Sequence, residues 1–171
     1  MANSEKLPFE DASFKSYTAN LSLMIVANHM NMLREAYRVL EPGSAAAFTV
    51  WGKEENCSFL TLRSEAALKI GKMKGPPRSN FHLGNDAEKL KEQAISVGFK
   101  DAVTWYSSIF SNYRCKEDYL ETTMAIPQFK SMPGDLLEKV MAEIGEGWEK
   151  YTKEKGGIGV EFQALFLVAY K

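Results

Sequence analysis

At 171 residues, 45% hydrophobic and 25% charged, the chain has the make-up of an ordinary folded domain with a core, and its composition excludes a disordered segment. A formal net charge of -1 lacks the basic excess that nucleic acid demands. Cys57 and Cys115, without a CxxC pair, exclude a disulfide framework or zinc site and point to a reduced, cytoplasmic setting, and no apolar run approaches the ~20 residues that span a bilayer.

The chain opens with Leu7-Pro8-Phe9-Glu10-Asp11 and runs into an apolar stretch over residues 14–26, where Tyr17, Leu21, Leu23, Ile25 and Val26 place apolar groups on both faces. That pattern predicts a buried parallel strand. Met30, Leu33, Ala36, Tyr37 and Leu40 then recur at helical spacing with Arg34, Glu35 and Arg38 between them, predicting an amphipathic helix stopped by Pro42-Gly43. Residues 45–51, AAAFTVW, form the next strand, whose small residues let a helix pack closely. A helix over 57–70 ends at Gly71, Lys69, Lys72 and Lys74 mark its solvated end, and Gly75-Pro76-Pro77 forces a loop. Asp86 caps a helix that closes at Gly98, followed by a strand over 102–110. Helices are predicted over 116–124 and 133–153, the second with Leu136, Leu137, Val140, Met141, Ile144 and Trp148 on one face. Gly156-Gly157 turns the chain into a final strand over 160–170. With no repeats, low-complexity tracts or linkers, it reads as a single domain, or part of one.

The segment from Asn3-Ser4-Glu5-Lys6 through Leu7-Pro8-Phe9, with Arg38-Val39-Leu40-Glu41-Pro42-Gly43, resembles the middle of a class I S-adenosylmethionine-dependent methyltransferase of the type 11 group, which includes quinone-biosynthesis C-methyltransferases. The likeness is specific over residues 1–52 and rests on element order beyond. It implies an α/β fold: the C-terminal half of a Rossmann-like sheet, strands four to seven in the order 4-5-7-6, strand seven antiparallel, with added helices. The family's glycine-rich GxGxG half is lacking here, so the chain is expected to be incomplete and to hold the cofactor weakly. Phe14-Lys15 stands where the family has Phe-Asp, and Ser44 replaces the second glycine of its usual PGG.

The resemblance implies S-adenosylmethionine as cofactor. Asn3 matches the residue that accepts from the adenine amine, with Ser4, Glu5 and Leu7 beside it, and Asn20 and Leu21 are expected to face the methionine end. His29, just before the helix, is the candidate to take a proton from an acceptor, and His82 lies in the loop before Asp86. The bland alternatives are a surface or capping histidine, a core Leu21 and a satisfied Asn20 amide. Methyl transfer from a sulfonium is an in-line displacement governed by alignment and exclusion of water, and it requires no metal. The expected partner is a small-molecule acceptor, with neither nucleic acid nor membrane. The alternative function is a non-catalytic interaction or scaffold module. Strand four, interior in the family, becomes an edge in this half, so a homodimer or a complementary chain is expected to pair through residues 14–26.

Overall fold

A computed structural model describes residues 2–71, 78–157 and 159–171. The elements run β1 (Phe14–Asn20), α1 (His29–Val39), β2 (Leu40–Trp51), α2 (Ser58–Lys69), α3 (Ala87–Ser96), β3 (Asp101–Asn112), α4 (Lys116–Met124), α5 (Pro127–Lys130), α6 (Gly134–Lys155) and β4 (Gly159–Tyr170). One four-stranded sheet has the order β1-β2-β4-β3, with β1 parallel to β2 and β4 antiparallel to β2. This is the order expected for strands 4-5-7-6 with the seventh reversed. By contacts the chain divides into two compact units, one of Met1–Glu54, Arg78–Ser108 and Gln163–Lys171, the other of Glu55–Pro77 and Ile109–Phe162. No helix among the described residues is long and apolar enough to cross a membrane.

In the first unit one sheet face is packed. Ala46, Phe48 and Val50 of β2 and Leu165, Leu167 and Ala169 of β4 are buried with Leu33 and Ala36 of α1 and Leu90 and Ala94 of α3. Each large side chain fully buried there contributes about 1.5–3 kcal/mol. Helix α1 starts where the Asn28 side chain accepts from the Met30 and Asn31 amides at 3.1 and 3.3 Å, satisfying two of the first-turn donors. Its last turn is closed by Lys171, whose Nζ donates to the carbonyls of Tyr37 and Leu40 at 2.8 and 2.7 Å. A lysine there also meets the negative end of the helix dipole. Asp86 caps α3 as expected, accepting from the Lys89 amide at 3.0 Å.

Two boundaries and one added helix depart most from the sequence expectation. The strand predicted over 14–26 ends at Asn20, because Leu21 turns to φ 49° and donates its amide to Thr49 O at 3.0 Å. Its expected burial is also confined, since within β1 Ala19 is buried, Tyr17 is half-buried and the rest is exposed. Leu23 and Met24 do reach the core, but from the turns that follow, while Ile25 is 65% exposed. Helix α1 ends at Val39, before Pro42-Gly43, and that pair lies inside β2. The register there jumps from Phe14↔Leu40 to Ser16↔Ala45, and Gly43, at φ 83°, takes the conformation that such an irregularity needs. Helix α5 adds one short turn that the sequence pattern did not announce.

The second unit has its own core, in which Leu62 and Ala66 of α2, Tyr119 of α4, Phe129 of α5, Val140, Ile144 and Trp148 of α6 and Val160 of β4 are buried together. The apolar face expected on the long helix is the face that packs. Helix α6 ends at Gly156, at φ 68°, where a left-handed residue closes the last turn. Lys69 of the predicted lysine-rich end pairs with Glu143 at 2.8 Å; Lys72, Lys74 and the Gly75-Pro76-Pro77 loop lie outside the described residues.

Candidate functional site

Residues 3–7 fold into a small structure of their own. The Asn3 side-chain oxygen accepts from the Glu5 amide at 2.9 Å, and the Lys6 amide returns to the Asn3 carbonyl at 3.0 Å. Asn3 therefore sits in an ordered turn rather than a frayed end. An amide oxygen has two lone pairs, so this exposed group keeps one for an incoming donor. Glu5 accepts from the Ala27 amide at 3.0 Å, tying the turn to the approach to α1, and Ser4 is half-buried beside it in sequence.

Leu7 is fixed by the hub Glu35–Arg38. Its amide donates to Glu35 Oε2 at 2.6 Å, and Arg38 donates to the carbonyls of Leu7 at 3.2 Å and Phe9 at 2.7 Å. Arg38 also pairs with Asp11 at 2.7 Å and Glu35 at 2.8 Å. The spacing of Glu35 and Arg38 on one helix is compatible with a surface ion pair, but nothing in it announces that the pair clamps the LPF segment. Arg38 holds the Glu35 carboxyl below its ordinary value, assisted by the Leu7 amide and opposed by burial.

Asn20 and Leu21 stand at the carboxyl end of β1, beside the parallel strand β2. The Thr49 hydroxyl donates to the Asn20 side-chain oxygen and accepts from the Leu21 amide. A non-glycine residue at positive φ costs roughly 1–3 kcal/mol and is found most at ligand sites. Thr49 was missed because nothing in AAAFTVW marks its hydroxyl as the partner of a residue on the preceding strand.

His29 is the first residue of α1, with Asn28 as the cap. Its Nε2 lies 3.2 Å from Gln93 Oε1, and its ring is 5.8 Å from that of His82. With Leu83, Asp86, Lys89 and Leu90 these residues line a cavity of about 140 Å³. The cavity adjoins the end of β2, since Gly84 presses against it so closely that a Cβ would fall 1.7 Å from the Trp51 carbonyl oxygen. Burial lowers the His29 pKa, His82 and Lys89 push the same way, and the Gln93 contact opposes them. The imidazole is thus neutral at neutral pH, and with Nε2–H donating to Gln93 its Nδ1 is left as a proton acceptor. The structure joins the 3–7 turn to Ala27 and Glu35, the 20–21 pair to Thr49, and the two histidines to each other. Among the described residues no group of three His, Cys, Asp or Glu side chains could hold a metal.

Residues 1–48 match the family described as a methyltransferase domain. The ubiquinone/menaquinone biosynthesis C-methyltransferase UbiE of Brucella anthropi is 52% identical over 42 residues, which is 25% of this chain and 16% of that protein. The matched stretch thus spans about a sixth of that relative's length. A Bacillus halodurans protein described as a methyltransferase superposes with TM-score 0.55 at 15% identity, covering 99% of this chain and 75% of that one. A SAM-dependent methyltransferase of Thermotoga maritima does so with TM-score 0.52 at 14% identity, over 99% and 62%. Likeness at such low identity shows the fold, and the 1–48 match supplies the kinship. Residues 1–48 thus match a methyltransferase domain and are similar to the quinone-biosynthesis C-methyltransferases, while the chain as a whole shares the fold of methyltransferases.

Proposed function

We propose that the chain forms the acceptor-side part of an S-adenosylmethionine-dependent methyltransferase acting on a small organic molecule. The observation that carries this reading is the meeting of His29 and His82 in a cavity next to segments that follow the carboxyl ends of β1 and β2, where open α/β sheets place their ligands. Asn3 would accept from the adenine amine with Ser4, Glu5 and Leu7 alongside, and Asn20 and Leu21 would meet the methionine end. When bound, the cofactor supplies a sulfonium methyl group. His29 Nδ1 would take the proton that the acceptor loses, and the cavity walls would exclude water. The Brucella anthropi relative is named for ubiquinone and menaquinone biosynthesis, so a quinol-like phenol is the first acceptor class to try. No GxGxG loop occurs in this sequence, so the adenine edge and the end of β1 are the cofactor contacts that this chain offers.

Calorimetric titration with S-adenosylmethionine tests the reading: saturable binding, weaker than low micromolar, is expected. Low-micromolar binding would overturn the view that the site is partial, and no binding at millimolar cofactor would overturn the enzyme reading itself.

A second reading, an interaction module, is favoured by the exposure of β1. It lies at the edge of the sheet with β2 as its one neighbour, and its outer backbone groups form a template for another strand. A second copy joined across β1 would continue the sheet, and a net charge of -1 per chain sets up little repulsion between copies. A complementary chain at the same edge is the outcome to distinguish, by mass.

A further inference from the structure

The second unit is built round a side chain that its sequence pattern hides. Arg63 of α2 is 7% exposed. Its Nε donates to the Thr123 hydroxyl at 3.2 Å and its Nη1 to the Phe59 carbonyl at 3.0 Å. The Thr123 hydroxyl donates onward to the Tyr119 carbonyl at 3.0 Å, which uses its one proton and leaves its oxygen a single lone pair. Arg63 Nη2, the Tyr119 hydroxyl and Trp148 Nε1 are buried without a hydrogen-bond partner. These donors belong to neighbouring side chains: the guanidinium centre is 5.4 Å from the Tyr119 ring, which stacks on Trp148 with centroids 6.3 Å apart.

A buried charge without a partner costs several kcal/mol. A buried lysine escapes by losing its proton, but a guanidinium does not. Burial lowers the Arg63 pKa from a very high starting value, and the group stays charged at neutral pH. The neighbouring phenol supplies no countercharge, because burial pushes Tyr119 up to about 12 against the pull of Arg63, and it is neutral under ordinary conditions. The Phe59 ring, 4.1 Å from the guanidinium, gives a cation–π contact of about 2 kcal/mol, which offsets only part of the cost. Among the described residues no carboxylate pairs with Arg63. What this place lacks is an acceptor that carries negative charge. A water molecule accepts two hydrogen bonds and brings no charge, so it leaves the imbalance in place.

We infer that Arg63, the Tyr119 hydroxyl and Trp148 Nε1 form a buried binding site for the carboxylate of a small molecule. One positive charge flanked by neutral donors balances a monoanion, whereas a dianion would leave excess charge buried. A planar carboxylate also matches the planar guanidinium, and the rings of Phe59 and Tyr119 favour a flat, aromatic body. The site lies wholly within the second unit and does not depend on the methyltransferase reading.

Sodium benzoate is the probe, titrated into the full chain against sodium chloride at matched ionic strength, with the melting temperature read at each step. A saturable rise with benzoate, absent with chloride and absent in Arg63→Met, is expected. Tyr119→Phe deletes one donor with little change of volume and should weaken apparent benzoate affinity about tenfold, which keeps the test open if Arg63→Met folds poorly; Trp148→Phe deletes the other donor together with part of the buried ring and should weaken it at least as much. An equal rise with chloride, an unchanged response in the phenylalanine variants, or no saturable rise at all would overturn the proposal.

Discussion

The two faces of the sheet in the first unit differ in what covers them. On one face Phe48, Leu165 and Leu167 are at most 1% exposed beneath α1 and α3. On the other, Val103 is 48% and Trp105 44% exposed, Trp105 stacks on Phe166 at 5.0 Å, and Asn20, Thr49, Phe166 and Val168 help line a shallow depression of about 160 Å³. The strands are the same, and so is the alternation of side chains that serves both faces. One face thus supplies stability, while the other, with the bare edge of β1, is available for contact.

The largest expected effect is on the covered face. Phe48→Ala should cost about 3–5 kcal/mol, read by denaturant unfolding, because it empties a fully enclosed site. Trp105→Ser on the open face should change monomer stability far less, by about 1 kcal/mol or below, since its main partner is one stacked ring. Equal costs would break the contrast.

The edge comes next. Light scattering should give the wild-type chain twice its monomer mass of 19.2 kDa, and Thr18→Lys on β1 should return it to monomer. A stable wild-type monomer at high concentration would count against pairing through β1.

A smaller effect is expected from Glu35. Its pKa is depressed in the folded state, so it stabilises above the unfolded carboxylate value and this contribution fades as pH falls through the lower folded value. Glu35→Gln should therefore flatten the acid limb of a melting-temperature profile while leaving the shape above neutrality unchanged. The smallest structural disturbance is His29→Gln, which should lower methyl transfer about 10²-fold or more and remove an acid limb lying below the ordinary histidine value. Stability near neutral pH should hardly change.

How much was legible in the sequence follows from the range of each interaction. Helix α4 at Lys116–Met124, the packed face of α6 and the order β1-β2-β4-β3 were all readable, because periodicity and a family segment report local pattern and topology. The end of β1 was not, since Leu21 carries no glycine to announce a positive φ and owes its turn to Thr49 on another strand. The clamp of Leu7 by Glu35 and Arg38, the approach of His82 to His29 and the buried Arg63 are contacts between distant segments. An arginine followed by Ser64 and Glu65 in a helix reads as surface until the helices around it are in place.

The central claim is that ligands meet this chain at the turn of residues 3–7 and at the carboxyl end of β1. Ultraviolet crosslinking of radiolabelled S-adenosylmethionine at millimolar concentration, followed by peptide mapping, tests it most directly. The account predicts label on peptides holding Asn3 to Leu7 or Asn20 and Leu21. Label confined to the α2 peptide, or none displaceable by unlabelled cofactor, would contradict it.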